Sequence, residues 1–134
     1  MSRDAETGSI VPVVAGVVTV ALVLAAGIGA IGQGLVARSR ASTAADAAAL
    51  AAAAVSFRPF GSDGDPIAEA SRFADEHGAT LVSCDCPVDR TYAPRRATVV
   101  VAIAVDVLGV GVRRFEATSS AVLEPVALLT QTGP

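Results

Sequence analysis

An uncharged apolar run near the N-terminus limits what this chain can fold into more than any other feature. From Ser9 to Ala37 no residue carries a charge, and beyond Ser9 only Thr19 and Gln33 are clearly polar. A helix needs about 20 apolar residues to cross a bilayer core, whereas the apolar region of a cleaved signal peptide spans only about 7–15 residues. We therefore predict a transmembrane helix; an unusually long signal peptide or an apolar helix within an assembly are the alternatives.

Four glycines lie close together near the end of this run: Gly27, Gly29, Gly32 and Gly34. Small residues let membrane helices approach each other closely, although transmembrane helices also tolerate glycine in general. The cluster is therefore a candidate packing face for partner helices, with simple tolerance as the alternative.

Directly after the apolar run, residues 41–56 have the sequence ASTAADAAALAAAAVS, which we call the alanine rod. Alanine is the strongest helix former, and neither Pro nor Gly occurs from Leu35 to Arg58. We therefore predict one continuous helix over residues 10–57, with one half in lipid and the other outside. The small side chains of the alanine rod would let a sheet or other helices pack closely against it.

Asp46 is the only charged residue of the alanine rod. The residues three and four positions away on the helix are all uncharged: Ser42, Thr43, Ala49 and Leu50. One interpretation is a carboxylate that simply faces water. The other is a docking contact, in which Asp46 pairs with an arginine of its own head or of a neighbouring subunit.

The remaining sequence predicts a second helix and a small sheet. Pro, Gly and Asp mark residues 58–65 as a linker, Asp65 is a candidate N-cap, and Gly78 is a candidate C-cap. The apolar stripe of this helix is expected to consist of Ile67, Ala70, Phe73 and Ala74.

Three later segments are typical of strands: residues 79–83, 97–107 and 112–125. The longest places one apolar face toward a core, formed by Val99, Val101, Ile103 and Val105. Leu108–Gly111 is expected to turn the chain into an antiparallel partner strand.

The predicted fold class is α+β, with an architecture that pilin-like subunits also use. The expected segments are a leader (1–9), the membrane and alanine helix (10–57), a linker (58–65), a small α+β head (66–125) and a flexible tail (126–134). The head alone is small and can bury only a modest core, so the alanine rod is the expected packing surface for its sheet.

The motif RSRASTAADAAALAAAA after an uncharged segment resembles the membrane-exit motif of TadE/TadG-like proteins of tight-adherence (Flp) pilus systems. The later HGATLVSC, a valine-rich strand and RRFEATSSAVLEP resemble the small actinobacterial TadE-like branch, so the resemblance covers roughly residues 8–125. It implies a non-enzymatic, pilin-like protein or assembly component whose partners are other pilus or secretion membrane subunits and membrane lipid.

The resemblance also implies a single pass through the cytoplasmic membrane with the C-terminal head outside. Charge alone does not fix this orientation, because Arg3 precedes the apolar run and Arg38 and Arg40 follow it. Processed pilins of these systems carry a Gly followed by Glu at the fifth mature position. Here Gly8 is followed at that position by Val13, so the resemblance does not support prepilin processing or incorporation as a standard pilin.

Two cysteines, Cys84 and Cys86, are separated by one residue. The family pattern often places a cysteine at the start of the short helix instead, a position that Pro66 and Ile67 occupy here. A structural disulfide between Cys84 and Cys86 is the first interpretation, since an exported domain favours oxidised cysteines. Free or intermolecular thiols, and a three-ligand metal site with His77, are the alternatives; no metal or other cofactor is predicted.

No catalytic triad, metal motif or phosphate-binding loop is visible, so an enzyme is not predicted. The net charge of −3, the absence of Trp and the 4% aromatic content argue against nucleic acid and small-molecule substrates. The arginine pairs 95–96 and 113–114 are expected to be solvated strand or loop positions, and electrostatic contact with a partner subunit or anionic envelope material is the alternative. The alternative function is a membrane-anchored extracytoplasmic binding module unrelated to pili.

Overall fold

The computed structural model describes residues 10–57, 64–107 and 109–130, and for residues 128–130 it describes the backbone alone. The predicted leader, most of the predicted linker and residues 131–134 lie outside this part of the chain. The order of elements is α1 (Ile10–Ser56), α2 (Pro66–Glu76), β1 (Thr80–Asp85), β2 (Arg95–Val107), β3 (Gly111–Leu123) and α3 (Pro125–Thr130). The fold class is α+β, as predicted.

Helix α1 is unbroken over 47 residues, which makes it about 70 Å long. Residues 10–29 are exposed on every side of the helix, and α1 is long and apolar enough to cross a membrane. Burial begins at Ala37 and continues to the end of the helix on one stripe: Ala37, Ala41, Ala44, Ala45, Ala48, Ala49, Ala52, Ala53 and Ser56. The alanine rod is therefore the packing surface for the head, because its side chains let the sheet and α2 approach closely.

The sheet is antiparallel with the strand order β1-β2-β3. Strands β2 and β3 pair without a register shift from Arg95↔Leu123 to Val107↔Gly111. The inward face of β2 comprises Ala97, Val99, Val101 and Ile103, all buried, followed by the half-buried Val105. This confirms the predicted apolar face, which lies against the alanine rod.

The turn between β2 and β3 is tight. The Val110 N–H donates to the Val107 carbonyl at 2.9 Å, which closes a four-residue turn. Gly109 has a φ of +80° and Gly111 a φ of +83°, a backbone region that side chains other than glycine rarely adopt. Glycine at these two positions therefore lets the two long strands reverse direction within a few residues.

Helix α2 has the predicted N-cap at Asp65, whereas its C-cap is His77 and the predicted Gly78 is the next residue. The Asp65 side chain accepts a hydrogen bond from the Ile67 N–H at 3.0 Å, and Gly78 follows the helix with a φ of +70°. The predicted stripe is wrong at Ile67, whose side chain is exposed, because the buried residues at this spacing are Pro66, Ala70 and Ala74.

The C-terminal segment also differs from the prediction of a flexible tail from residue 126 onward. Helix α3 covers Pro125–Thr130, and the Ala127 N–H donates to the Glu124 carbonyl at 3.0 Å. Proline is favoured at the first position of a helix, so Pro125 both ends β3 and begins α3.

Candidate functional site

The candidate functional site is the alanine rod together with the part of the head that borders it. Asp46 lies at its centre, on the exposed edge of the packed stripe. The Ser119 hydroxyl of β3 donates a hydrogen bond to Asp46 Oδ1 at 2.5 Å. Leu50, Ser120 and Val122 line the same shallow surface, and we call these residues with Asp46 and Ser119 the Asp46 patch.

The intramolecular partner of Asp46 is thus a serine hydroxyl and not an arginine. Among the residues that the structure describes, the ion pairs join Arg72 to Glu69 and Glu76, and Arg114 to Glu116. Asp46 therefore contacts the head through a neutral donor. None of the ion pairs among the described residues involves its carboxylate. Pairing with an arginine of a neighbouring subunit stays a prediction.

A second connection between helix and head is made by Arg95, the first residue of β2. Its guanidinium is buried, and Nη1 donates to the Ser56 carbonyl at 3.0 Å and to the Asp89 carbonyl at 2.5 Å. Nη2 donates to the Thr91 carbonyl and, at 3.3 Å, to the Ala93 carbonyl. The cation thereby compensates the partial negative charge at the C-terminal end of α1 and holds residues 89–93 against it.

The prediction that Arg95 is solvated is wrong, while Arg96 is exposed as expected. Arg95 lies in phase with the inward residues Ala97 and Val99, so the alternation of β2 points its side chain toward the helix. That phase is the sequence signal which could have identified it. The carbonyl partners were not visible, because they come from the end of α1 and from an irregular loop.

The loop before β2 contains a local turn at Asp89. The Thr91 hydroxyl donates to Asp89 Oδ2 at 2.6 Å and the Thr91 N–H donates to Oδ1 at 3.0 Å. These hydrogen bonds, the one from the Thr91 side chain above all, lower the pKa of the Asp89 carboxyl below its usual value. The same loop pairs with the residue after α1, through a bridge between Phe57 and Asp89.

The structure joins Cys84 and Cys86 in a disulfide at the end of β1, with a Cα–Cα separation of 5.4 Å. Both cysteines are half-buried against the core. His77 lies at the C-terminal end of α2, and its Nδ1 is 2.8 Å from the Phe73 carbonyl. In the described part of the chain, His, Cys, Asp and Glu form no group of three that could hold a metal ion.

The four clustered glycines do not share one face of α1. Since about 3.6 residues make one turn, Gly27 and Gly34 lie on one side of the helix, and Gly29 and Gly32 lie together on the opposite side. Gly34 faces the head, where a Cβ would lie 3.8 Å from Phe115 Cζ. A Cβ on Gly27, Gly29 or Gly32 would have no neighbour within 4 Å, so these three positions are open to other molecules.

Comparison with known proteins finds a similarity that is confined to α1 and the residues just before it. A family model described as putative Flp pilus-assembly TadE/G-like matches residues 8–55, a little over a third of the 134-residue chain. No curated protein and no solved structure matches the chain significantly. The matched range ends one residue before the end of α1 and includes the apolar half, the glycines and Asp46. The N-terminal helix of this chain is therefore similar to that of TadE/G-like proteins described as putative Flp pilus-assembly proteins.

Proposed function

We propose that this protein is a non-enzymatic, pilin-like membrane protein that takes part in assembly of an Flp-type pilus or a related secretion apparatus. The first half of α1 would anchor it in the cytoplasmic membrane by a single pass, and the head would lie on the extracytoplasmic side. The observation that carries the proposal is the family match over α1, the same helix that combines an exposed apolar half with a half that holds the head.

The attachment of the head to α1 supports this role. The head is attached to α1 along the alanine rod by buried side chains, by the Asp46–Ser119 hydrogen bond and by Arg95 at the helix end. Because α1 has no break, a movement of the anchor within the membrane is transmitted to the head as a rigid displacement. A protein that is captured or moved through its membrane helix would thus carry its head with it.

We further propose that the Asp46 patch contacts a neighbouring subunit through an arginine. Only one oxygen of the carboxylate accepts from Ser119, and the side chain is exposed. Leu50 lies beside it and is 65% exposed, an apolar neighbour for a partner surface. A charged centre with an exposed leucine at its edge is suited to a protein–protein interface in which the charge determines how the two subunits align.

The experiment is affinity capture of the tagged full-length protein from detergent-solubilised membranes of its host, with Asp46→Asn and Ser119→Ala as variants. Pilin or pilus-platform proteins are expected with the unchanged chain. Asn retains an oxygen that accepts from Ser119 but has no charge, so Asp46→Asn should reduce capture while the head stays folded. Ser119→Ala keeps the charge and should capture normally.

Equal capture by Asp46→Asn and the unchanged chain would remove the docking role of Asp46 and leave the pilus proposal standing. Recovery of a soluble ligand without any pilus or secretion subunit would overturn the pilus proposal. That second outcome would favour an anchored binding module.

A further inference from the structure

The turn between β2 and β3 lies beside the apolar half of α1. Gly109 shares one surface with Ala26, Gly29, Ala30 and Gln33 of the helix. The hairpin therefore extends past the alanine rod and reaches residues of the uncharged run.

The length of the uncharged run determines where this turn lies relative to a bilayer. Ile10–Ala37 measures about 42 Å as a helix, while the hydrocarbon core is about 30 Å thick and takes about 20 residues. A span placed at the start of the run covers residues 10–29, and a span placed at its end covers residues 18–37. In either placement Ala26–Ala30 lie at the extracytoplasmic boundary of the hydrocarbon core or within the core. The turn, which lies beside these residues, is then at the same depth.

The composition of the turn suits that position. Residues 107–112, with the sequence VLGVGV, are uncharged, and Val110 and Val112 are 51% and 72% exposed. The first charged residues on the two strands are Asp106 and Arg113, both exposed. At about 3.4 Å per residue they lie roughly 5–10 Å from the turn, which is the distance from the acyl boundary into the headgroups.

Backbone hydrogen bonding limits the depth. The turn is closed by the Val110–Val107 hydrogen bond, and β2 and β3 are paired up to Val107↔Gly111. The outer edge of β3 has no partner strand in the described sheet, and such an edge is not tolerated in the hydrocarbon core. The headgroup and upper acyl region, where water still reaches an edge strand, is therefore the depth at which the hairpin fits.

We propose that the β2–β3 turn inserts Val110 and Val112 into the headgroup and upper acyl region on the extracytoplasmic side of the membrane that α1 spans. The turn would thus contact lipid in addition to α1 and to one side of it. This contact would fix the tilt and rotation of the head above the bilayer. The proposal rests on the membrane anchoring included in the proposed function, but it does not depend on pilus assembly.

Because the chain contains no Trp, single tryptophans report its environment directly. Val110→Trp and Val112→Trp report on the turn, and Leu22→Trp reports on the anchor. Val122→Trp is the matched control, since Val122 has the same 51% exposure as Val110 but lies at the opposite end of β3. Each full-length variant is reconstituted in phosphatidylcholine–phosphatidylglycerol vesicles, and its fluorescence is quenched either by brominated lipid or by aqueous acrylamide.

We expect the tryptophan fluorescence of Val110→Trp and Val112→Trp to have a shorter emission wavelength than that of Val122→Trp. We also expect it to be quenched by lipids that are brominated near the headgroup. Val122→Trp should respond to acrylamide alone. If both turn reporters behave like Val122→Trp while Leu22→Trp is quenched by lipid, the turn contact is overturned and the anchor stands. If Leu22→Trp is also accessible to acrylamide alone, the anchor and the turn contact are both overturned.

Discussion

At the scale of single residues, Arg95 connects the end of α1 to the loop before β2. Its planar guanidinium donates to carbonyls of residues 56, 89, 91 and 93, a geometry that a lysine ammonium cannot reproduce. We expect Arg95→Lys to lower the free energy of unfolding by about 1.5–3 kcal/mol, the range for hydrogen bonds that involve a charged group. Chemical denaturation measures this, with the exposed neighbour in Arg96→Lys as the control; an equal effect of both variants would contradict it.

The lowered pKa of Asp89 makes its contribution to the free energy of unfolding depend on pH in the acidic range. Its pKa is lowered in the folded state, so its hydrogen bonds contribute stability above the unfolded-state pKa of about 3.8, and this contribution is lost as the pH falls through the folded pKa. We therefore expect the stability difference between the unchanged chain and Asp89→Asn to shrink as the pH is lowered from about 6 to about 3. Thermal unfolding at several pH values measures it, and a difference that is constant with pH would contradict the assignment.

Residue-level predictions from the sequence were correct where the partner is close in the chain. Asp65 caps α2 through an N–H two residues away, and Gly78 ends it with its own backbone conformation. The partner of Asp46 was not predictable, because Ser119 lies 73 residues away and only the packing of β3 on α1 brings it near. The carbonyl partners of Arg95 were not predictable for the same reason, although its phase with Ala97 and Val99 indicates that its side chain points inward.

At the scale of elements, the contact between α1 and the sheet depends on small side chains. Ala48 is fully buried between the helix and the head, whereas Ala54 is exposed on the same helix. We expect Ala48→Leu to destabilise the head by about 1–3 kcal/mol, because the added methylenes force the sheet away from the helix. Ala54→Leu is the control and should be near neutral in the same denaturation experiment; a neutral Ala48→Leu would show that the interface is loosely packed.

The periodicity of the sequence was sufficient to predict most elements, and it failed where two signals compete. The alternation of β2 correctly placed Val99, Val101 and Ile103 toward the helix. The stripe of α2 was misassigned at Ile67, because alanines at a spacing of four residues fit against the alanine rod more closely than an isoleucine does. Helix α3 was missed since Pro125 is equally a strand terminator and a helix start.

At the scale of the whole molecule, one continuous helix joins a half that is apolar enough to cross a membrane to a half that packs against the head. The head extends along α1 from the turn at Gly109 to Phe57, so about half of the helix is free to contact lipid or other helices. Under the proposed function, the apolar half is the surface through which other membrane subunits would be recognised. The glycines that are open on this half are therefore where recognition is best tested.

Gly27 provides the most specific test, because a Cβ there has no neighbour within 4 Å and Gly27 does not border the hairpin turn. If partner helices pack closely at the glycine cluster, Gly27→Leu inserts a bulky side chain into that contact and should lower capture of partner membrane proteins about fivefold, corresponding to about 1 kcal/mol of helix packing. Gly16→Leu is the control, since Gly16 is equally open, lies outside the cluster and faces nearly the same side of α1. Capture that falls equally for both variants would indicate a general effect on the helix in lipid, and unchanged capture by Gly27→Leu would show that the glycines are merely tolerated.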